Sequence, residues 1–164
     1  MSSEKELDRA LEDALKTNIA FCRWFLSRTK AGHDYTHYDW SRSNHPWGKV
    51  RVLLPNSETG ALEMAEREGE TDVLAVFEGP SKRRLGVHIE NKLASGSFTQ
   101  YQPEVCAARA DAWIHNPAYG NYDHWETVLL APTSFYQRFT TEARKFTSFI
   151  SHEDVAEYVP VFRA

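Results

Sequence analysis

The segment from Thr71 to Lys92 constrains the fold of this chain more than any other. Thr71–Glu78 (TDVLAVFE) and Leu85–Lys92 (LGVHIENK) are short runs rich in branched and aromatic residues, and the polar Gly79–Arg84 (GPSKRR) between them suits a reversal. The segment therefore reads as an antiparallel hairpin. In such a pair the start of one strand lies opposite the end of the next, so Asp72 comes beside Glu90 and Lys92. Side chains alternate along a strand, which puts His88, Glu90 and Lys92 on one face, with Glu90 and Lys92 about 7 Å apart.

Helix and strand patterns flank the hairpin. Leu7, Leu11, Ala14, Leu15, Cys22 and Phe25 recur at three- and four-residue steps, which predicts one helix over residues 4–28. Ser3 would cap it, and Glu4, Glu6 and Asp8 suit the positive end of its dipole. Residues 29–46, with Gly32, Pro46, His33, His37, His45 and the aromatics Tyr35, Tyr38 and Trp40, read as a long loop. Trp47–Leu54 reads as a strand closed by Pro55, and Asn56–Gly60 as a turn. Ala61–Glu68 has helical propensity, yet Leu62, Met64 and Glu66 alternate as in a strand, and Gly69-Glu70 then makes a turn. Helix should resume near Gln100 and run to Trp113 or His115. Trp125–Ala131 reads as a buried strand stopped by Pro132, and Phe135–Phe149 as helical. Ser151-His-Glu-Asp looks like a capping box that opens a last helix over His152–Val159. This order predicts an α/β fold with a mixed central sheet flanked by helices, in a single domain spanning 1–164.

Charge excludes some functions and sharpens others. The 19 Lys+Arg against 23 Asp+Glu give a formal −4, which rules out nucleic-acid binding by bulk basicity and a basic membrane-surface helix. The excess is uneven: seven acidic residues and one arginine (Arg67) lie between Glu58 and Glu78, whereas residues 79–109 carry five basic and two acidic side chains. Cys22 and Cys106 cannot make a disulfide framework or a cysteine zinc site. The polar opening lacks the apolar core of a signal peptide, and no apolar run reaches membrane-spanning length, so a soluble cytoplasmic protein without a membrane partner is expected.

Glu90-Asn91-Lys92 matters for its setting. With 15 Glu and 7 Lys in 164 residues, a Glu-x-Lys triplet arises by chance about 0.6 times. Here the hairpin adds Asp72, so two carboxylates and an ammonium converge without any long-range contact. Mg²⁺ prefers oxygen ligands and keeps several waters, so two carboxylates plus a substrate phosphate suit it. Such an ion acidifies water and neutralises charge on phosphorus oxygens, while a nearby lysine can orient the water. The plain alternative is a salt-bridged hairpin end.

The run Gly69-Glu-Thr-Asp-Val-Leu, followed after the hairpin by Val87-His-Ile-Glu-Asn-Lys-Leu, resembles the PD-(D/E)xK nuclease superfamily, specifically its branch with a Gly-x-x-Asp strand and an Ile-Glu-Asn-Lys signature. The likeness covers about Ala61 to Trp113, with the first helix and the Trp125–Pro132 strand fitting more loosely. It implies a restriction-endonuclease-like fold with an αβββαβ core, and a Mg²⁺-dependent nuclease, Mn²⁺ substituting, that acts on nucleic acid, DNA foremost. Asp72 and Glu90 would bind the metal, with the carbonyl of Asn91 as a further ligand, and Lys92 would assist the attacking water. The resemblance also admits a homodimer. The family's first helix often carries an acidic residue facing the site. By helical projection Glu4 falls within the arc of Leu7, Leu11, Ala14 and Cys22, while Glu6 points away and Glu12 sits at the edge. The helix after the lysine strand often begins with Gln and has Tyr four residues on; Gln102 holds the first place, Cys106 departs at the second, and Gln100 competes.

Other residues carry weaker readings. His88 could approach a phosphate, though packing on the sheet is the simpler role. His33, His37 and His45 with Asp34 and Asp39 form a candidate zinc grouping, against a polar loop. Trp40, Arg42, Trp47 and Lys49, and the basic tip Lys82-Arg83-Arg84, are candidate nucleic-acid contacts. The rival to the nuclease is a catalytically silent nuclease-like domain that binds nucleic acid or a protein partner; a third expectation is an ordinary α/β interaction domain.

Overall fold

The computed structural model describes residues 2–163. α1 (Glu4–Thr17) starts at a capping box, in which Glu6 N–H donates to Ser3 Oγ and Ser3 N–H donates to the Glu6 carboxylate. It ends at Asn18, whose extended backbone interrupts the single helix expected over 4–28. Asn18 Oδ1 then accepts the Phe21 N–H at 3.0 Å and opens α2 (Ile19–Ser27). One polar residue thus stops one helix and caps the next.

The strands, in chain order, are β1 (His37–Arg42), β2 (Trp47–Pro55), β3 (Leu62–Glu70), β4 (Val73–Glu78), β5 (Arg84–Asn91), β6 (His124–Ala131) and β7 (Ser148–Ser151). Five form a mixed sheet in the order β1-β4-β5-β6-β7, with β1, β4 and β5 antiparallel and β5, β6 and β7 parallel. α3 (Gln102–Ala112) makes the crossover from β5 to β6, and the short α4 (Thr133–Arg138) and α5 (Thr140–Ala143) lie between β6 and β7. α6 (His152–Val155) follows β7, with Ser151 Oγ accepting the Asp154 N–H.

Three expectations need correction. Residues 29–46 are not a loop throughout, because β1 lies within them and pairs with β4. Phe135–Phe149 is not wholly helical: it breaks into α4 and α5, and β7 then begins at Ser148. Gly69-Glu70 is not a turn, since β3 runs through both residues in register with Gly48 and Trp47. β3 also pairs only with β2, as a separate two-stranded ribbon. The third strand beside the hairpin is therefore β1 rather than the run from Ala61.

The sheet is covered on both faces. Val73, Ala75 and Phe77 of β4 alternate with Leu74 and Val76. The first set packs with Val87, Ile89 and the α1 and α2 residues Leu11, Phe21 and Phe25; the second packs with Trp113 and Tyr122. Beside them Cys106 packs with Leu129, Phe135 and Phe146. The inner edge of the ribbon, Val50, Val52 and Leu54, rests on Val105 of α3. Gly86 lets the Tyr122 ring lie flat on β5, since a Cβ there would stand 2.4 Å from it. Among the described residues no helix is long and apolar enough to cross a membrane.

Candidate functional site

The β4–β5 register pairs Val73 with Ile89, so Asp72 comes level with Glu90 at the end of the hairpin. Asp72 Oδ2 accepts the Asn91 backbone N–H at 2.8 Å. This juxtaposition follows from strand alternation alone. Successive residues then face opposite sides of the sheet. Glu90 and Lys92 point to α3, while the Asn91 side chain points to α1.

On the α3 side, Gln102 joins the two charged residues. Its Nε2 donates to Glu90 Oε2 at 2.9 Å, and its Oε1 accepts from Lys92 Nζ at 3.0 Å. Gln100 is exposed and lies in a surface cleft with Tyr101 and Leu54, so Gln102 is the glutamine at this site. Arg109, seven residues after Gln102 on the same helix face, approaches Glu90 Oε1 at 3.4 Å. It is buried, and it also donates to Thr71 Oγ1 and to the Glu70 carbonyl, both at 2.9 Å. Gly69 makes room for it, because a Cβ there would sit 2.8 Å from the guanidinium. Sequence reasoning had no role for Arg109; its seven-residue spacing from Gln102 was the available signal.

On the α1 side, the acidic residue that reaches the site is Asp8. It is fully buried, with Oδ1 accepting from Asn91 Nδ2 at 2.9 Å. Asn91 Oδ1 in turn accepts from His152 Nε2 at 2.8 Å. Glu4, one turn earlier, is half-buried; burial and the nearby Asp72 charge raise its carboxyl pKa, against Lys92 and His45. It borders the cluster that Asp8 enters. His45 completes this side: Nε2 lies 3.0 Å from Asp8 Oδ2, Nδ1 lies 2.9 Å from Glu70 Oε1, and Nδ1 lies 3.8 Å from Asp72 Oδ1. His45 holds a left-handed backbone, φ 51°, directly before Pro46. A cavity of about 400 Å³ lined by Lys5, Arg9, Ser43, Asn44, His45 and Glu70 opens beside it.

The electrostatics follow from burial. The Asp72 carboxyl is pushed up to about 6, first by desolvation and then by the Asp8 charge, against the Asn91 N–H, His45 and Lys92. Glu90 is raised well above the usual range by burial and by Asp72, with Arg109 and Lys92 opposing. Asp8 is raised by burial, while its hydrogen bonds to Asn91 and His45 act the other way. Three buried carboxylates therefore meet beside Arg109, Lys92 and His45, and hydrogen bonds to Glu70 and Asp8 raise the His45 pKa against burial. One ligand atom each from Asp8, His45 and Asp72 lie within 4.8 Å of one another, a grouping that suits a divalent cation.

Several candidates have other duties. His88 is buried in a closed relay: Arg109 Nε donates to Thr71 Oγ1, Thr71 Oγ1 lies 2.9 Å from His88 Nδ1, and His88 Nε2 lies 3.0 Å from the Tyr122 hydroxyl. Tyr122 donates onward to the Ala110 carbonyl, so it accepts from a neutral His88, whose pKa burial and Arg109 hold well below the ordinary value. His88 therefore packs. His33 and His37 are exposed and pair locally with Asp34 and Thr36, and Asp39 pairs with Arg84 at 2.6 Å, so the grouping expected for zinc does not form. Arg84 is held further by Glu78 and the Gly120 carbonyl, and Arg83 lies over Tyr35. Trp40 packs against the sheet and Arg42 holds Asn44, whereas Trp47 is exposed and Lys49 pairs with Glu68.

Comparison with protein-family models, with curated proteins and with solved structures returned no match.

Proposed function

We propose that this chain is a divalent-metal-dependent nuclease of the PD-(D/E)xK type, with a restriction-endonuclease-like core, that hydrolyses phosphodiester bonds in DNA. One observation carries the reading: Asp72 and Glu90 meet at adjoining strand ends, and Gln102 bonds both Glu90 and Lys92. A salt-bridged hairpin end would pair Lys92 directly with a carboxylate. Instead its ammonium is held by a neutral amide, beside carboxylates that burial and mutual repulsion raise.

A divalent ion held by Asp72 and Glu90, with the Asn91 carbonyl and Glu4 as further ligands that the resemblance implies, would acidify a water and neutralise charge developing on the phosphorus oxygens. The resemblance implies that acidic residue of the first helix at Glu4; Asp8, one turn on, is the fully buried carboxylate of the same helix. Lys92, fixed by Gln102, is set to orient the attacking water or to meet the charge that develops on phosphate. Arg109 holds Glu90 from behind, and Asn91 fixes Asp72 and Asp8 together. Cys22 and Cys106 are free and buried, in keeping with the reducing cytoplasm in which we set the activity.

The test is incubation of the purified protein with plasmid and single-stranded DNA in Mg²⁺, Mn²⁺ or EDTA. Cleavage is expected with metal only, and should fall by at least about a hundredfold in Glu90→Ala and Lys92→Ala. Cleavage that survives both substitutions would refute the assignment. DNA binding without cleavage in either metal would favour a silent, nuclease-like binding domain.

A further inference from the structure

We infer that the cation of this site binds on the α1 side, between carboxylate oxygens of Asp8 and Asp72 and a ring nitrogen of His45, and that it is a first-row transition ion held through imidazole nitrogen in preference to Mg²⁺. The inference rests on the proposed nuclease only for the ion's use; it keeps Asp72 from the ligand set that the resemblance implies and puts Asp8 and His45 in the places of Glu90, the Asn91 carbonyl and Glu4.

The geometry fits coordination. Around an ion with bonds of about 2.1 Å, neighbouring ligand atoms stand roughly 3 Å apart. His45 Nε2 and Asp8 Oδ2 are 3.0 Å apart, and one atom from each of the three residues falls within 4.8 Å of the others. The outer atoms of all three ligands are already taken. Glu70 bonds His45 Nδ1 at 2.9 Å, the carboxylate–histidine arrangement that orients a ligating imidazole. Asn91 Nδ2 bonds Asp8 Oδ1, and the Asn91 N–H bonds Asp72 Oδ2. Asn91 is itself held by His152. These bonds leave Asp8 Oδ2 and Asp72 Oδ1 facing the His45 ring, whose Nε2 lies 3.0 Å from the first and whose Nδ1 lies 3.8 Å from the second.

Charge balance selects the same side. Glu90 has Arg109 as an ion-pair partner, whereas among the described residues the ion-pair partner of Asp8 and of Asp72 is His45. The backbone of His45 is left-handed before a proline, a conformation that costs energy and carries the ring inward over the two aspartates. The cavity of about 400 Å³ beside His45 supplies a path from solvent. An imidazole ligand among carboxylates favours Mn²⁺, Fe²⁺, Co²⁺ or Zn²⁺, because Mg²⁺ prefers oxygen throughout.

The experiment uses Mn²⁺ and Mg²⁺ with the whole protein and no nucleic acid. Mn²⁺ binding is followed by electron paramagnetic resonance, with pulsed detection of ¹⁴N coupling, and Mg²⁺ by competition. Wild type should bind Mn²⁺ at least about tenfold more tightly than Mg²⁺ and show a directly bound nitrogen. His45→Gln should remove the nitrogen signal and weaken Mn²⁺ by about ten- to a hundredfold, leaving Mg²⁺ little changed. Asp8→Asn should weaken both ions, and circular dichroism verifies that each variant folds. Bound Mn²⁺ without nitrogen coupling, unchanged affinity in His45→Gln, or no Mn²⁺ binding at millimolar concentration would each overturn the inference. Nitrogen-coupled Mn²⁺ in a protein that leaves DNA intact would sink the nuclease reading and leave this one standing. Cleavage supported by an ion with no nitrogen coupling would do the reverse.

Discussion

Replacing Asp72 with Asn should stabilise the metal-free protein near neutral pH. Asp72 is buried beside Asp8 and Glu90, and its carboxyl is pushed from the ordinary 3.8 up to about 6. A carboxyl raised on folding contributes fully below its unfolded value and loses that contribution as pH climbs through its folded one. Asp72 therefore weakens the fold progressively between about pH 4 and pH 6, and the cost is constant above that. At 1.36 kcal/mol per pH unit, the displacement from 3.8 to about 6 corresponds to roughly 3 kcal/mol at pH 7.5. Asparagine keeps an oxygen for the Asn91 N–H and removes the charge. For a chain of this length roughly 3 kcal/mol moves Tm by about 6–12 °C.

The assay is thermal unfolding of wild type and Asp72→Asn in EDTA, at pH 7.5 and at pH 4. The variant should melt higher at pH 7.5, and the two curves should converge at pH 4, where the wild-type carboxyl is protonated. Adding Mn²⁺ at a hundred times its dissociation constant should raise wild-type stability by about 2.7 kcal/mol and leave the variant nearly unmoved, so the order narrows or reverses. A variant that melts lower than wild type at pH 7.5, or an advantage equally large at pH 4, would show that Asp72 is a stabilising partner in the fold.

Arg109→Met should destabilise by about 3–5 kcal/mol in urea unfolding, since it leaves Glu90 buried beside Asp72 without its guanidinium. Combining it with Glu90→Gln should recover at least about 1 kcal/mol of that loss, a coupling that additive behaviour would disprove. His152, buried against Asn91, has its pKa lowered to about 4 by desolvation, so its contribution is present above pH 6.5 and is lost as pH falls through about 4. Its ring protons in an NMR titration should stay at neutral-form shifts down to about pH 5, and movement centred near pH 6.5 would count against the buried Asn91 contact.

Local pattern predicted the elements whose partners are close in sequence. The β4–β5 hairpin, Asp72 beside Glu90, and α3 were legible for that reason. β1 was not, because HYDWSR is a mostly polar edge strand: Tyr38 and Trp40 pack against the core, but the residues between and around them are polar, and Ser41 bonds Glu12. β7 is four residues long, too short for any period to show after the helical pattern of TEARKF. β2 and β3 were predictable as strands, yet nothing in their alternation says that they leave the central sheet to pair on α3. Which sheet a strand joins is decided by long-range packing.

Asp8, read from the sequence only as a helix-dipole residue, and His45, grouped there with His33 and His37, show different limits. Asp8 was within reach: seven residues separate it from Leu15, about 20° on a helix, so it lies closer to the centre of the buried stripe than Glu4 does. A carboxylate there needs a partner, and its place in the first turns had hidden that need behind the helix dipole. His45 offered no periodic signal, for only the left-handed kink before Pro46 brings its ring to the hairpin.

A control for the meaning of these groups lies at the far end of β6. Glu126 is as buried as Glu90, yet its two oxygens accept the Lys30 and Ala31 backbone N–H groups at 2.9 and 2.7 Å. That carboxylate closes a turn and needs nothing further. Asp8, Asp72 and Glu90 instead face one another, and their neighbours hold the outer atoms while burial and mutual repulsion raise the carboxyls. Folding alone gains nothing from such an arrangement, since apolar residues of similar volume would raise stability. The carboxylates that crowd one another lie at one end of the sheet, where the parallel strands finish, and there they cost the fold. Such a cost is what the proposed metal site would require, since a bound cation would offset the repulsion that folding leaves among these groups.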